Sequence, residues 1–241
     1  MAGIKQISLI LMMLGAMLLS QSATADWWHF WHHTDLSATD GINEDKILHD
    51  TRGLSSTPLE LGIEAYEHAR QEGLDHKGII TIVDFSKPST EKRLWVIDLK
   101  RNKVLYNTWV AHGENSGGNY ATRFSNDNNS RESSLGLYVT GGTYVGSLGY
   151  SMRIYGVTPG YNTNAYDRDI VVHGAWYVGE RVIREYGHLG FTWGCFGISP
   201  DMLHPIIETI QNGTLLLAYY PDRSLLRVAA EVPAHVHQEV G

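Results

Sequence analysis

The chain has 241 residues, of which 43% are apolar and 25 are glycine, and its formal net charge is −7. This acidic balance argues against nucleic acid or an anionic membrane surface as a partner, because both repel negative charge. The length and apolar content suit one well-packed domain with terminal arms, and the sequence contains no internal repeat.

The first 25 residues have the pattern of a secretory signal peptide. Lys5 provides a positive start, residues 7–19 are apolar, and Ala23-Thr24-Ala25 is a small-x-small cleavage site. The apolar run is too short to span a bilayer, and no later stretch reaches the roughly 18 apolar residues that a spanning helix needs. We therefore expect an exported protein without a membrane span, in the periplasm or cell envelope or secreted, beginning near Asp26.

The segment 26–33 contains four aromatic residues and three histidines. Copper sites at a new N-terminus use histidine in first or third place, whereas cleavage after Ala25 would put His29 fourth. We interpret the segment as an aromatic anchor that packs on the domain or touches the envelope. A metal role is the alternative.

Two helices are predicted. The first begins at Pro58 within a capping-box pattern, carries an apolar stripe and ends near Gly73, so we expect it to pack beside the domain. The second begins at Pro200, shortly after Cys195, and ends before Gly213. We divide the chain into an arm with a helix, a main domain and a tail, at residues 26–75, 76–222 and 223–241.

The middle of the chain is rich in apolar segments with the pattern of β-strands. These are residues 79–85, 94–98, 104–111, 135–140, 152–157, 170–173 and 215–220. Residues 101–103 have the character of a hairpin turn, and glycine pairs separate other segments. The pattern predicts a mainly β domain with few helices, and it leaves open whether the sheets form a sandwich or a barrel.

Cys195 is the only cysteine in the chain, so it cannot form an internal disulfide. Gly194 and Gly197 allow close approach of a ligand, Thr192 adds a hydroxyl, and a helix start follows. Such surroundings stabilise a thiolate, the reactive form of cysteine. We predict a nucleophile. A buried, inert thiol is the alternative.

Three histidines are candidates for the base that activates this thiol. His173 ends a strand and precedes Gly174, His112 occupies a similar strand end, and His188 lies in a loop close to Cys195. A zinc site is the rival explanation. His173, His188 and Cys195 match no structural zinc spacing, so we expect neither a metal nor a cofactor.

Two separated motifs carry a resemblance to a known family. Residues 170–174, which end in His173-Gly174, and the later Thr192-Trp193-Gly194-Cys195 resemble the signature of the L,D-transpeptidase catalytic domain of the YkuD type. Further segments resemble the murein L,D-transpeptidase branch of that family. They are residues 110–117, 124–126, 133–136 and 149–153, and the resemblance runs from about residue 79 to residue 220.

The resemblance implies a β-sandwich-like fold and an envelope enzyme that acts on peptidoglycan tetrapeptide stems. Cys195 would be the nucleophile and His173 the base, oriented by the Gly174 carbonyl, with the Gly194 and Cys195 amides as oxyanion donors. A thioester would form with release of a terminal D-amino acid. Transfer to an amine would cross-link two stems, transfer to water would be L,D-carboxypeptidase activity, and carbapenems would acylate Cys195.

Basic side chains suit a carboxylate-rich stem peptide, so His112, Arg153 and Arg168 are predicted substrate contacts, together with Thr192 and Trp193. Structural ion pairs are the alternative for both arginines. Many family members have arginine or asparagine where this chain has Gly197, so acceptor choice stays open. The alternative functions are a catalytically silent peptidoglycan-binding domain and a general cysteine endopeptidase.

Overall fold

A computed structural model of the protein describes residues 41–72 and 77–225. The expected signal peptide, the aromatic and histidine-rich segment 26–33 and most of the expected tail lie outside these residues. The helices are α1 Glu44–Thr51, α2 Ser56–Gln71, α3 Glu180–Tyr186 and α4 Pro200–Ile210. The strands are β1 Ile79–Asp84, β2 Leu94–Asp98, β3 Lys103–Thr108, β4 Val110–Ala111, β5 Gly136–Gly146, β6 Gly149–Gly156, β7 Val171–Gly174, β8 Phe196–Ile198 and β9 Leu215–Tyr219.

All nine strands belong to one sheet, in the order β3-β2-β1-β9-β5-β6-β7-β8-β4. The two outermost strands, β3 and β4, are separated in the chain only by Trp109. Because one residue joins them, the two edges of the sheet must come together, and the sheet is nearly closed. The consecutive strands β2, β1 and β9 are almost wholly buried, which explains why they read as continuous apolar runs without alternation.

The helices cover this sheet. The apolar stripe of α2 is buried, and α2 packs on β1 and β9, while α4 packs on β7 and β1. The second contact is close, since a Cβ placed on Gly174 would lie 2.9 Å from Leu203 Cδ2 of α4. In the described part of the chain, no helix combines the length and apolar character needed to cross a membrane.

The expected mainly β fold with few helices is confirmed. Each predicted strand segment forms a strand, although residues 104–111 divide into β3 and β4, and both predicted helices are present as α2 and α4. The sequence did not predict β8, α1 or α3. Strand β8 has only three residues, one of them glycine, and the two helices have only eight and seven residues, so none leaves a long periodic pattern.

Strand β8 is the part of the sheet that organises the site. It lies between β7, to which it pairs in parallel, and β4, to which it pairs antiparallel. Gly197 of β8 is thereby opposite both His173 and Ala111. A parallel pair requires a crossover, and residues 175–195, which include α3, provide it. Cys195 ends this crossover, directly before β8.

Candidate active site

Cys195 is 8% exposed at the start of β8. Its thiol donates to the carbonyl oxygen of Asp169 at 3.5 Å. Asp169 has a left-handed backbone with φ 54°, a conformation that aspartate tolerates better than most residues. The nucleophile candidate is therefore enclosed by its own chain, with the thiol proton directed at a backbone carbonyl.

The turn before Cys195 is closed by one hydroxyl. Thr192 Oγ1 donates to the Cys195 carbonyl at 2.8 Å and accepts from the Gly194 amide at 3.1 Å. Gly194 has φ +112°, and an added Cβ would lie 2.8 Å from both the Glu132 carbonyl oxygen and Ile170 Cδ1. Conformation and space thus both require glycine in front of the cysteine.

The same turn is fastened to the end of β4. The Thr192 amide donates to the His112 carbonyl at 2.9 Å, and the Glu114 amide donates to the Thr192 carbonyl at 2.8 Å. These two bonds form a short parallel bridge between Gly113 and Thr192. Residues 112–114 therefore fix the position of the segment that carries Cys195.

His173 lies in β7, and its Nδ1 is 3.0 Å from the carbonyl oxygen of Gly174. A carbonyl only accepts, so Nδ1 carries the proton and Nε2 keeps its lone pair. In the parallel register His173 is opposite Gly197, two residues beyond Cys195. Cys195 directly precedes the first residue of β8, so the register places the segment that carries the thiol next to the strand that carries His173.

The thiol and the imidazole are both neutral in the resting protein. Burial raises the pKa of Cys195 to about 11, the Asp169 charge adds to the rise, and the Val171 amide and the Arg168 charge oppose it. Burial likewise lowers the pKa of His173, against a smaller opposing effect of the Gly174 carbonyl. His173 is therefore available as a base at neutral pH.

The raised pKa of Cys195 corrects the expectation that its surroundings favour a preformed thiolate. The positive end of α4 was expected to assist. However, β8 occupies the interval between Cys195 and α4, and three strand residues span about 10 Å. Dipole effects fade within about one helix turn, so burial dominates.

His112, which the sequence predicts as a substrate contact at a strand end, is enclosed by the protein. It is 1% exposed, and its Nδ1 is 2.7 Å from Arg93 Nη2. Arginine only donates, so the proton of His112 is on Nε2. Burial and the Arg93 charge lower the pKa of His112 to about 4. A substrate contact from His112 would require this buried pair to open.

His188, the third histidine, has a hydrogen-bond pattern like that of His173. Its Nδ1 donates to the Leu189 carbonyl at 2.6 Å, and its ring stacks on Phe191 at 5.1 Å between centroids. The residue sits in the crossover loop instead of on a strand paired with β8. His173, by contrast, lies on the strand that pairs with β8.

The two arginines predicted as substrate contacts differ in environment. Arg153 is on the surface, where it pairs with the Asp169 carboxylate at 2.9 Å and lies 4.5 Å from the Tyr144 ring centroid. The Arg168 guanidinium instead points inward and is bonded to residues 125–134. Arg153 remains accessible to a substrate, whereas the donors of Arg168 are used by the protein itself.

Trp193 and Gly197 each lie two residues from Cys195 in the sequence, on either side of it. The Trp193 side chain is 67% exposed next to the nucleophile candidate, with the Arg131 guanidinium 4.3 Å from its ring centroid. At Gly197 an added Cβ would lie 3.1 Å from Thr192 Cγ2 and 3.3 Å from Ala175 Cβ. A side chain at Gly197 would therefore require these neighbours to shift by a few tenths of an ångström.

Within residues 41–72 and 77–225, no group of three or more histidine, cysteine, aspartate or glutamate side chains is arranged to hold a metal ion. The contacts of Asp169 and Arg168 around the thiol were not foreseen from the sequence. A positive-φ aspartate has only a weak sequence signal, and the direction of an arginine side chain has none.

The fold and the site define the class of protein. It is a nearly closed, mainly β domain with a buried cysteine directly before a strand that pairs with a histidine-bearing strand. The family model described as the L,D-transpeptidase catalytic domain matches residues 50–219, more than two thirds of the chain. The protein belongs to the L,D-transpeptidase catalytic domain family. The match includes α2 as well as the sheet, and the division at residue 76 stays a prediction. No curated protein matches the chain.

Solved structures, among them L,D-transpeptidases, are also similar to the chain, at low sequence identity. One, in complex with imipenem, is 15% identical, with 59% of each chain covered and a TM-score of 0.36. A second, from Mycobacterium smegmatis, is 13% identical, with 59% of each chain covered and a TM-score of 0.37. The helical cell shape determining protein Pgp2 from Campylobacter jejuni is 12% identical, with 71% of this chain and 58% of that chain covered and a TM-score of 0.42. The chain thus spans about three fifths of the length of these proteins.

Proposed function

We propose that the protein is an L,D-transpeptidase-type cysteine acyltransferase that acts on peptidoglycan stem peptides in the cell envelope. The observation that carries this proposal is the parallel pairing of β7 and β8 with His173 opposite Gly197. That pairing associates a histidine of defined tautomer with the chain's single cysteine. Membership of the family supports the substrate class.

The first half of the reaction is formation of an acyl-enzyme. His173 Nε2 takes the proton of Cys195 Sγ as the sulfur attacks the carbonyl of the diaminopimelate residue that precedes the terminal D-amino acid. The bond from that carbonyl carbon to the D-amino acid nitrogen breaks, and the leaving amine takes the proton from His173. A thioester on Cys195 and a free D-amino acid result.

The second half resolves the thioester. An amine of a second stem attacks the carbonyl, His173 accepts the amine proton, and the thiol is restored as the new amide forms. With water in place of the amine, the product is a trimmed stem with a free carboxylate. The first outcome is cross-linking and the second is L,D-carboxypeptidase activity.

The negative oxygen of the tetrahedral intermediate needs hydrogen-bond donors. In the described part of the chain the Cys195 amide has no acceptor, which supports its role as an oxyanion donor. The Gly194 amide donates to Thr192 Oγ1 and would share that bond with the oxyanion. One such donor is worth about 3 kcal/mol in related acyl-transfer sites. We assign the Cys195 amide the larger part.

In the resting protein the Cys195 thiol and the His173 imidazole are both neutral, and this determines when the thiol loses its proton. Because burial holds the pKa of Cys195 at about 11, the thiol is deprotonated only as the carbonyl arrives. His173 then acts as a general base during the attack. It does not form a thiolate–imidazolium ion pair with Cys195 before the substrate binds. This reading predicts slow reaction with simple alkylating reagents at acidic pH.

Incubation of the protein with a tetrapeptide stem tests the function. We expect release of the terminal D-amino acid and a thioester mass adduct on the intact protein, both absent in Cys195→Ala. A carbapenem should give a covalent adduct that the alanine variant lacks. Identical handling of the stem by both proteins would favour the catalytically silent binding domain. Cleavage of ordinary L-peptide bonds in an unfolded protein would favour a general cysteine endopeptidase.

A further inference from the structure

The guanidinium of Arg168 makes four hydrogen bonds, all to neutral groups. It donates to the carbonyl oxygens of Ser125 at 2.7 Å and Glu132 at 2.6 Å, to Ser130 Oγ at 3.0 Å, and to the Ser134 hydroxyl. No carboxylate forms an ion pair with it among the residues that the structure describes. The side chain is half-buried, so the positive charge is fixed in place and not neutralised by a partner.

This charge lies against the segment that carries the nucleophile. A Cβ built on Gly194 would be 3.3 Å from Arg168 Nη2 and 2.8 Å from the Glu132 carbonyl oxygen that accepts from the same nitrogen. The absence of a side chain at Gly194 therefore lets the guanidinium approach the backbone directly before Cys195. Arg168 is also adjacent in sequence to Asp169, whose carbonyl accepts from the thiol.

The anion at Cys195 needs such a charge. A buried thiolate has lost its hydration, and the thiol rests on a carbonyl oxygen that repels negative charge. A nearby cation acts strongly across a partly buried region, because the effective dielectric constant there is well below that of water. In agreement with this geometry, the Arg168 charge lowers the pKa of Cys195 against the larger effect of burial.

We infer that Arg168 is a positioning residue for the acyl-transfer step: its unpaired charge, held behind Gly194, stabilises the anionic sulfur of Cys195 while the proton is on His173. This replaces the predicted role of Arg168 as a substrate contact. The catalytic part of the inference rests on the proposed function. The effect on the thiol does not, because it is a property of the free protein.

The other ionisable groups that act on the thiol do not take over this role. They are the Asp169 carboxylate and the Tyr138 and Tyr177 phenols, and the His173 imidazole lies on the neighbouring strand β7. Burial raises the pKa of both phenols and lowers that of His173, so all three are neutral at neutral pH. Asp169 is negative and opposes the thiolate. Asp127 and Glu132 act on Arg168 itself, and Glu132 faces Arg123 at 3.5 Å.

The test is the pH profile of Cys195 alkylation by iodoacetamide, an uncharged reagent. Arg168→Gln removes the charge, Arg168→Lys keeps it without the fork of hydrogen bonds, and Arg184→Gln removes an exposed arginine that pairs with Glu180 on α3. We expect the midpoint to move to higher pH in Arg168→Gln, with alkylation about tenfold slower below the midpoint. The lysine variant should stay close to the parent, and Arg184→Gln should match it.

Equal midpoints in the parent and Arg168→Gln would overturn the inference. So would an equal shift in the glutamine and lysine variants, since both lose the same packing and only one loses the charge. If Arg168→Gln does not fold, Arg168→Met gives a second measurement, because methionine is also long and uncharged. Its midpoint should move to higher pH as well, and an unchanged midpoint would overturn the inference.

The release of D-amino acid from a tetrapeptide stem separates this inference from the proposed function. A parent protein that shows no release, together with a shifted midpoint in Arg168→Gln, would reject the function and keep the electrostatic role. Normal release of D-amino acid with an unshifted midpoint in Arg168→Gln would keep the proposed function and reject the role of Arg168.

Discussion

The hydroxyl of Thr192 donates to the backbone carbonyl of Cys195 at 2.8 Å, and in the same position it accepts from the amide between them, at Gly194. Thr192 is 4% exposed, so water does not replace either bond. One buried side chain thus determines the conformation of the turn that presents the nucleophile. The threonine of the motif has a structural task as well as its predicted place near the substrate.

Replacement of Thr192 by valine removes both bonds at nearly constant volume. We expect a loss of about 1–3 kcal/mol in the free energy of unfolding, because a buried amide and a buried carbonyl lose their partner. Thr192→Ser retains the oxygen and should lose less. Urea unfolding of the two variants measures the difference, and equal losses would mean that the methyl group, which serine lacks, contributes as much as the hydroxyl, which valine lacks.

Gly194→Ala is expected to destabilise the protein by at least about 1–3 kcal/mol, the cost of a strained backbone conformation, and to abolish release of D-amino acid. The reasons are φ +112° and the 2.8 Å approach to the Glu132 carbonyl oxygen. Gly118→Ala is the matched control, because an added Cβ there meets nothing within 4 Å. Thermal unfolding and a turnover assay compare them. Similar behaviour of the two variants would contradict the steric argument.

His173→Gln should lower turnover by about 10²–10⁴-fold, the usual contribution of a general base, while the fold is retained. His188→Gln is the control, because its imidazole makes a like bond to the following carbonyl but lies in the crossover loop. We expect it to keep most of the activity. If instead the His188 variant lost activity and the His173 variant kept it, the assignment of the base would be reversed.

The His112–Arg93 pair predicts a loss of stability in acid. The pKa of His112 is about 4 in the folded protein against an ordinary value of 6.5. As pH falls through this interval, His112 binds a proton in the unfolded chain but not in the folded protein. The free energy of unfolding therefore falls by up to about 3 kcal/mol and then levels off. His112→Gln should be less stable at neutral pH but show a shallower decline, by urea unfolding at neutral pH and near pH 4. Parallel declines would refute the link to this histidine.

Long apolar segments were predictable from the sequence, and short ones were not. The strands that became β1, β2 and β9 read as continuous apolar runs because both of their faces are buried. The three residues of β8 form a strand only because β7 and β4 flank them. Their local sequence, with a central glycine, has no preference that would reveal it.

Each motif of the site is a contiguous stretch of sequence, whereas the groups around the motifs come from distant parts of the chain. His173-Gly174 and the turn ending at Cys195 are each contiguous, so the family and the candidate residues follow from the sequence alone. The orienting bond from His173 to Gly174 joins adjacent residues, and the structure contains it as the resemblance implied. The hydrogen bonding and charge environment of His112 depend on Arg93, which is distant in sequence and fully buried beside it.

The sequence by itself determined the fold class, the single thiol and the histidine on a strand end, because each is written in a short continuous pattern. Tertiary structure alone decided that the thiol is buried and protonated, that His112 is buried against Arg93, and that the Arg168 guanidinium points inward behind Gly194. These properties depend on desolvation and on charges brought together from segments far apart in the chain. Such contacts exist only after the sheet has closed, so no local pattern encodes them.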